Sequence, residues 1–293
     1  MELSRREEQL RGLVTGWRTM TYGWRDCALY ALAVGAGPDE PQYTYEKDMQ
    51  VIPTFGVTPY WSTVNVTPRL PRPTSIPVLV EEVLKPAASY VNLDYEFLYH
   101  RPIPTSGVFV YRDVLTDLFD RGEGRGMAVR SQVEVFDEGG NLLCTNRCTT
   151  LFPTLGGYGG TPLLKAKSPI PDRLPDRTVT DRAGAVQHLL YRLTGDTNLV
   201  HVDRDVAVAR GLEGPFVHDL CAFGYVCRMA AGVLFPGEPH RLTRLYAAMK
   251  TVLYPDTPLE LELWALEEGK AAFRLLNALT RKPVLDRGEI EWR

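Results

Sequence analysis

The stretch 191–207 reads YRLTGDTNLVHVDRDVA and gathers Thr194, Gly195, Asp196, Asn198 and His201 between an apolar segment and the start of a helix. Asp196 and His201 are five residues apart, so a turn leading into a helix brings them to one side. A carboxylate and an imidazole so placed can hold a water, take its proton and return a proton elsewhere, which is general acid–base chemistry. Asn198, between them, can hold the same water or orient a substrate. Gly195 permits a backbone angle that other residues avoid. A plainer reading stands beside this one: Asp196 or Asp203 caps a helix, and His201 is a hydrogen-bonded interior histidine. Spacing alone leaves both open.

Two further segments could serve such a pair. In GPFVHDLCAFG (214–224), Pro215 sits where a helix would begin, and a long apolar run follows. Free N–H groups and the positive dipole end at such a start stabilise a developing oxyanion. A thioester carbonyl held there becomes a better electrophile, and its α-carbon more acidic; every buried helix, however, has such an end. LGGYGG (155–160) supplies Gly156, Gly157, Tyr158 and Gly159, a loop whose backbone can approach a ligand closely. Its spacing is wrong for a dinucleotide fingerprint, and a proline-rich stretch rather than a helix follows it. The alternative is a flexible exit from a sheet. Cys144 and Cys148 lack a second pair at zinc spacing, Cys221 and Cys227 fall on the apolar run, and His100, His188 and His240 lack acidic neighbours, so these read as structural.

The elements that must position these residues come in two rounds. The first twenty residues read as an amphipathic surface helix, and 25–36 as a second helix closed by Gly35 and Gly37. The type of 51–57 (VIPTFGV) is ambiguous. Strand signals cover 91–100, 108–119, 126–136 and 142–152, separated by RGEGRG and DEGGN. Residues 161–184 carry four prolines and no clear period, which reads as an inter-domain crossing. Then come an apolar segment at 185–193, a short helix at 203–211, a long helix at 216–235 apolar nearly all round, and strands at 245–252, 259–266, 271–279 and 284–292. HRPIPTSGVFVYRDVL (100–115) echoes TVLYPDTPLELELWAL (251–266), giving a weak repeat with a period near 150 residues. A helix apolar on every side must be surrounded. A curled antiparallel sheet can do this, and two copies in tandem make an α+β double hotdog: 1–160, a linker at 161–184, and 185–293.

Composition narrows the partners. The 293 residues are 44% hydrophobic and 24% charged, ordinary for a soluble globular chain. Thirty-three basic against thirty-six acidic residues leave a net charge of -3, which offers no basic excess to a phosphate backbone. The N-terminus is charged from the fourth residue onward and lacks a signal-peptide core. The run 216–235 contains His218, Asp219 and Arg228, which argues against a membrane span. Five cysteines, an odd number, fit a reducing compartment, so cytoplasm is expected.

YRLTGDTNLVHVD followed by GPFVHDLCAFG resembles the signature of the (R)-specific enoyl-CoA hydratases, the MaoC-like family that includes the hydratase domain of the peroxisomal multifunctional enzyme. LYALAVGAG (29–37), YEKDMQVIPTFGV (45–57) and the LGGYGG loop are similar to its double-hotdog members. The resemblance implies reversible addition of water to a trans-2-enoyl thioester, giving the (R)-3-hydroxyacyl thioester, with no metal or redox cofactor. It implies Asp196 and His201 as the catalytic pair and Asn198 as their loop partner. His218, Asp219, Gly195 and Phe223 become oxyanion- or substrate-binding positions. Two residues depart from the pattern: Asp219 stands where the family has glycine, and Leu199 where it has proline. The first half has no copy of the Asp-x4-His loop, so it is expected to be a noncatalytic repeat that receives the acyl chain. The competing readings are a dehydratase working on a 3-hydroxyacyl thioester carried by coenzyme A or a carrier protein, a non-catalytic acyl-thioester binding protein, and a thioesterase. A homodimer is compatible with the fold.

Overall fold

The computed structural model describes residues 10, 12–60, 76, 90–157, 159–164 and 167–293. In chain order the first half holds β1 (Arg18–Tyr22), α1 (Trp24–Ala33), two single-turn 3-10 segments at Pro41–Tyr43 and Pro53–Val57, then β2 (Val91–Tyr99), β3 (Gly107–Asp120), β4 (Met127–Phe136) and β5 (Leu142–Phe152). The second half holds β6 (Arg177–Ala183), α2 (Gln187–Arg192), a 3-10 turn at Leu199–His201, α3 (Arg204–Ala209), α4 (Asp219–Leu234), a 3-10 turn at Pro239–Arg241, then β7 (Leu242–Met249), β8 (Thr257–Glu267), β9 (Lys270–Asn277) and β10 (Pro283–Trp292).

All ten strands form one antiparallel sheet in the order β1-β3-β4-β5-β2-β7-β10-β9-β8-β6. Read outward-in, the first five strands run β1-β3-β4-β5-β2 and the second five β6-β8-β9-β10-β7. The order is the same in each half, so the sequence echo is a repeat of topology. The halves meet edge to edge through β2 and β7, with Glu96 opposite Tyr246 and Phe97 opposite Leu245. This pairing removes one exposed edge from each half. The fold is a double hotdog.

Every residue of α4 from Leu220 through Ala231 is buried, as a run apolar but for Arg228 requires. The sheet faces supply the cover by alternation: β4 buries alternate residues from Val129 through Val135. One apolar core spans both halves, and Phe223 of α4 sets its ring edge-on to Tyr95 and Phe97 of β2. The buried Arg228 on α4 is neutralised from both sides: its guanidinium donates to the Val34 carbonyl at 3.0 Å, to Glu40 Oε2 at 2.6 Å and to the Asp181 carboxylate of β6. All five cysteines are buried and unpaired. Among the described residues, no helix is long and apolar enough to cross a membrane.

Two expectations need revision. The stretch 161–184, read as structureless, contains β6, which pairs with β8 from Arg177 opposite Leu263 to Ala183 opposite Thr257. As an edge strand it buries only its last residue, so it shows no apolar alternation to read. Half of the expected N-terminal helix over the first twenty residues falls outside the described residues; residues 12–20 are not helical, and from Arg18 to Tyr22 the chain is a strand pairing with β3. The ambiguous segment at 51–57 is a 3-10 turn opened by Pro53.

Candidate active site

The site is built by the chain between α2 and α4. Helix α2 ends at Arg192, and Gly195 turns the chain with φ +129°, a value that L side chains rarely adopt. The Asp196 carboxylate then folds back on its own backbone, with Oδ1 accepting from the Asn198 N–H at 3.1 Å. Asn198 in turn caps the 3-10 turn Leu199–His201, its Oδ1 accepting from the Val200 N–H at 3.3 Å. Asp203, not Asp196, caps α3, accepting from the N–H groups of Asp205 and Val206. The capping role thus falls to Asp203 and leaves Asp196 facing inward.

Asp196, His201 and His218 are 7%, 6% and 1% exposed. Their ligand-type atoms all lie within 4.8 Å of one another. The His201 and His218 rings stack at 3.6 Å between centroids, 24° apart, flanked by Phe216 and Tyr191. His201 Nδ1 is 3.0 Å from the Phe216 carbonyl. A carbonyl only accepts, so Nδ1 carries the proton and the neutral ring keeps its lone pair on Nε2. His218 Nε2 donates to the Asp196 backbone carbonyl at 3.3 Å and lies 3.9 Å from Asp196 Oδ2. Its Nδ1 is buried with no partner among the described residues.

Loss of water dominates the electrostatics. Burial pushes the Asp196 carboxyl up to about 7; the Asn198 N–H opposes this, and the nearby Asp219 charge adds to it. Burial pushes His201 down to about 4, against the pull of the Phe216 carbonyl, and His188, Arg210 and Arg192 push it further. His218 is driven down as well, by burial and then by His201. Both imidazoles are therefore neutral at pH 7, while Asp196 is poised to change state there.

His218 is the N-cap of α4 and Asp219 its first residue. Helix geometry gives the N–H groups of Asp219 and Leu220 no acceptor within the helix. Asp219 is half-buried, and its carboxyl is pushed up to about 6 by loss of water. The histidines and Asp196 also form the one set of three grouped metal-ligand side chains among the described residues. Their geometry is poor for an ion: a metal lies in the plane of each ligating imidazole, and two rings stacked face to face cannot both offer that.

The structure brings Asp196, Asn198, His201 and His218 together, with Gly195 and Asp219 adjoining. Phe223 lies one turn along α4 in the shared core, against β2. The glycine loop serves another purpose. Asp120, at the end of β3, accepts from the N–H groups of Gly157 at 2.8 Å, Gly159 at 2.6 Å, Gly160 at 3.3 Å and Gly122 at 2.8 Å. Gly156 has φ +117°, and a Cβ there would stand 2.6 Å from the Gly126 carbonyl oxygen. The expected ligand loop therefore has its N–H groups committed to a carboxylate of the chain itself; Tyr158 lies outside the described residues. His188, read from the sequence as structural, and Arg192, not considered there, both act on the histidines electrostatically. The signal was the four-residue step from 188 to 192, which puts both on one face of α2.

Known proteins resemble this chain in both halves. Residues 20–153 match the family described as MFE-2 hydratase 2 N-terminal domain, and residues 167–285 the MaoC like domain. A relative named 3-hydroxyacyl-thioester dehydratase Y, from Mycobacterium tuberculosis, is 29% identical over 93% of this chain and 94% of its own length. The peroxisomal multifunctional enzyme type 2 of Mus musculus is 30% identical over 80% of this chain, which spans 32% of that longer protein. A crystal structure of a MaoC-like dehydratase from Phytophthora capsici superposes with a TM-score of 0.82 at 21% identity, covering 98% of this chain and 97% of that one. With both matches in register with the two topological halves, the chain belongs to the MaoC-like hydratase family, as a hydratase 2 N-terminal domain followed by a MaoC-like domain.

Proposed function

We propose that this protein is a hydro-lyase that reversibly adds water to a trans-2-enoyl-CoA thioester, giving the (R)-3-hydroxyacyl-CoA. The observation that carries this reading is the convergence, at the N-terminus of α4, of Asp196, His201 and His218, whose ligand-type atoms lie within 4.8 Å of one another, with His201 neutral and its proton on Nδ1. Water held between Asp196 and His201 loses a proton to the pair as its oxygen bonds to C3. The thioester oxygen takes up the negative charge near the first-turn N–H groups of α4. A proton passes from the pair to C2, so the pair ends the cycle as it began. The thioester itself activates C3, so this chemistry needs no metal or redox cofactor. Run backwards, the same steps make the chain a dehydratase of 3-hydroxyacyl thioesters, the reading favoured by the name of its mycobacterial relative.

In this account Asp196 and His201 are the catalytic residues, and Asn198 shapes the loop that holds them. The first half, 1–160, is a noncatalytic repeat that receives the acyl chain, 161–184 links it, and 185–293 carries the catalytic loop. The protein works in the cytoplasm, where the buried unpaired thiols fit a reducing compartment, and the double hotdog is compatible with a homodimer.

Crotonyl-CoA separates the readings. The enoyl absorbance falls without release of free thiol, and a dehydrogenase restricted to (S)-3-hydroxyacyl-CoA leaves the product untouched. Thiol release would indicate a thioesterase, no change in either signal a binding protein, and oxidation by the (S)-specific enzyme the opposite face of the alkene.

A further inference from the structure

Phe216, Val217 and His218, the residues just before α4, grip the reacting pair. The Phe216 carbonyl accepts the His201 Nδ1–H at 3.0 Å, and the Phe216 ring stands 4.4 Å from the His201 ring at 58°. The Val217 N–H donates to the Leu253 carbonyl at 2.7 Å, which ties the segment to the β7–β8 connection. The His218 ring lies almost flat on the His201 ring, 3.6 Å between centroids.

His218 sits at the N-cap of α4 and does not cap it: its side chain accepts no first-turn N–H. Side chains at that position are usually the ones that make such a bond. Here the ring is turned to the catalytic loop instead. Neither of its nitrogens is open to a substrate. Nε2 donates to the Asp196 carbonyl at 3.3 Å, and Nδ1 is buried. Burial and the neighbouring His201 keep the ring neutral, so its one N–H is already committed. What His218 offers is therefore a flat face against His201 and a donor on the Asp196 backbone. Without that face the His201 imidazole can rock about its bond to the Phe216 carbonyl, which swings the Nε2 lone pair. A displacement of about 1 Å in a reacting group costs about a hundredfold in rate.

We propose that His218 is a positioning residue for the pair, which sets the direction of His201 Nε2 and the seat of Asp196 without touching substrate. This role stands in place of the oxyanion or substrate binding that the resemblance implies for it. The proposal deepens the hydro-lyase reading and rests on it.

Two readouts test it, one of them independent of turnover. In imidazole nitrogen NMR of the full chain, the His201 signals are those lost in His201→Ala. They should show the Nδ1–H tautomer alone in wild type, an average of both tautomers in His218→Ala, and the Nδ1–H tautomer alone again in His218→Phe, which keeps a flat ring. With crotonyl-CoA, His218→Ala should lower kcat about ten- to a hundredfold and leave KM within about twofold, the pattern of an interaction that matters in the transition state. His218→Phe should bring kcat back to within about fivefold of wild type. Should His218→Ala fail to fold, His218→Gln, which keeps a donor but not the flat face, takes its place with the same expectations. One His201 tautomer in every variant would overturn the proposal. So would a raised KM at unchanged kcat, the mark of a substrate contact, or a His218→Phe enzyme as slow as His218→Ala. A wild type inactive on crotonyl-CoA would remove the hydro-lyase reading alone, and the His201 signals would still decide what His218 does.

Discussion

Asp196 and His201 lose the same solvent and respond in opposite senses, because one is charged when deprotonated and the other when protonated. With His201 neutral and Asp196 ionised as the water-activating state, kcat/KM should fall as pH drops through about 7. That limb should be missing in Asp196→Asn. The same shift sets a stability cost. The folded Asp196 pKa is raised, so its contribution is full below the unfolded value of 3.8 and is lost as pH rises through about 7. Asp196→Asn should therefore be more stable than wild type at pH 8, by up to about 4 kcal/mol, and lose that advantage near pH 4; equal melting temperatures across this range would contradict the burial argument. For His201 the sign reverses: stability present above 6.5 is lost as pH falls through about 4. Asp219 adds like charge beside Asp196, so Asp219→Gly should shift the acid limb of kcat/KM to lower pH and speed turnover of simple enoyl-CoA substrates. No change in either would place that side chain outside the site. Asp196, Asn198 and His201 were legible because a turn and a short helix fix their spacing locally. The stacking of His201 on His218 was not, since it depends on how the loop packs on α4.

At the scale of elements, long strands with buried alternation were readable, and the boundaries of β2 through β5 and β7 through β10 differ from expectation by a few residues. The edge strand β6 was not readable, because a strand with one covered flank needs no apolar pattern. The glycine loop was legible as a close backbone approach, but its partner was not: Asp120 lies some 37 residues away in sequence from Gly157 and meets it only through the β3–β4–β5 pairing. Asp120→Ala should cost about 1–3 kcal/mol in urea unfolding, as donors lose a buried acceptor, while kcat on crotonyl-CoA stays within about twofold. A large fall in kcat with stability unchanged would return the loop to the ligand.

The whole molecule is a repeat whose halves share a sheet and a core. Tyr30 and Phe55 of the first half pack with Tyr191 and α4 of the second, and Arg228 ties three elements across the join. Thermal unfolding followed by tryptophan fluorescence and by far-ultraviolet circular dichroism should therefore give coincident transitions, and two separated steps would mean the halves are independent. In the proposed function one half holds the reacting residues and the other only the frame, a division that a repeated fold allows. The measurement that tests the account most directly is the initial rate of crotonyl-CoA hydration in wild type, Asp196→Asn and His201→Ala, prepared in parallel and matched for folded content. The account predicts loss of enoyl absorbance in wild type and rates about 10²–10⁴ lower in each variant, the usual scale for acid–base groups. Hydration within a few-fold of wild type in either folded variant would contradict it.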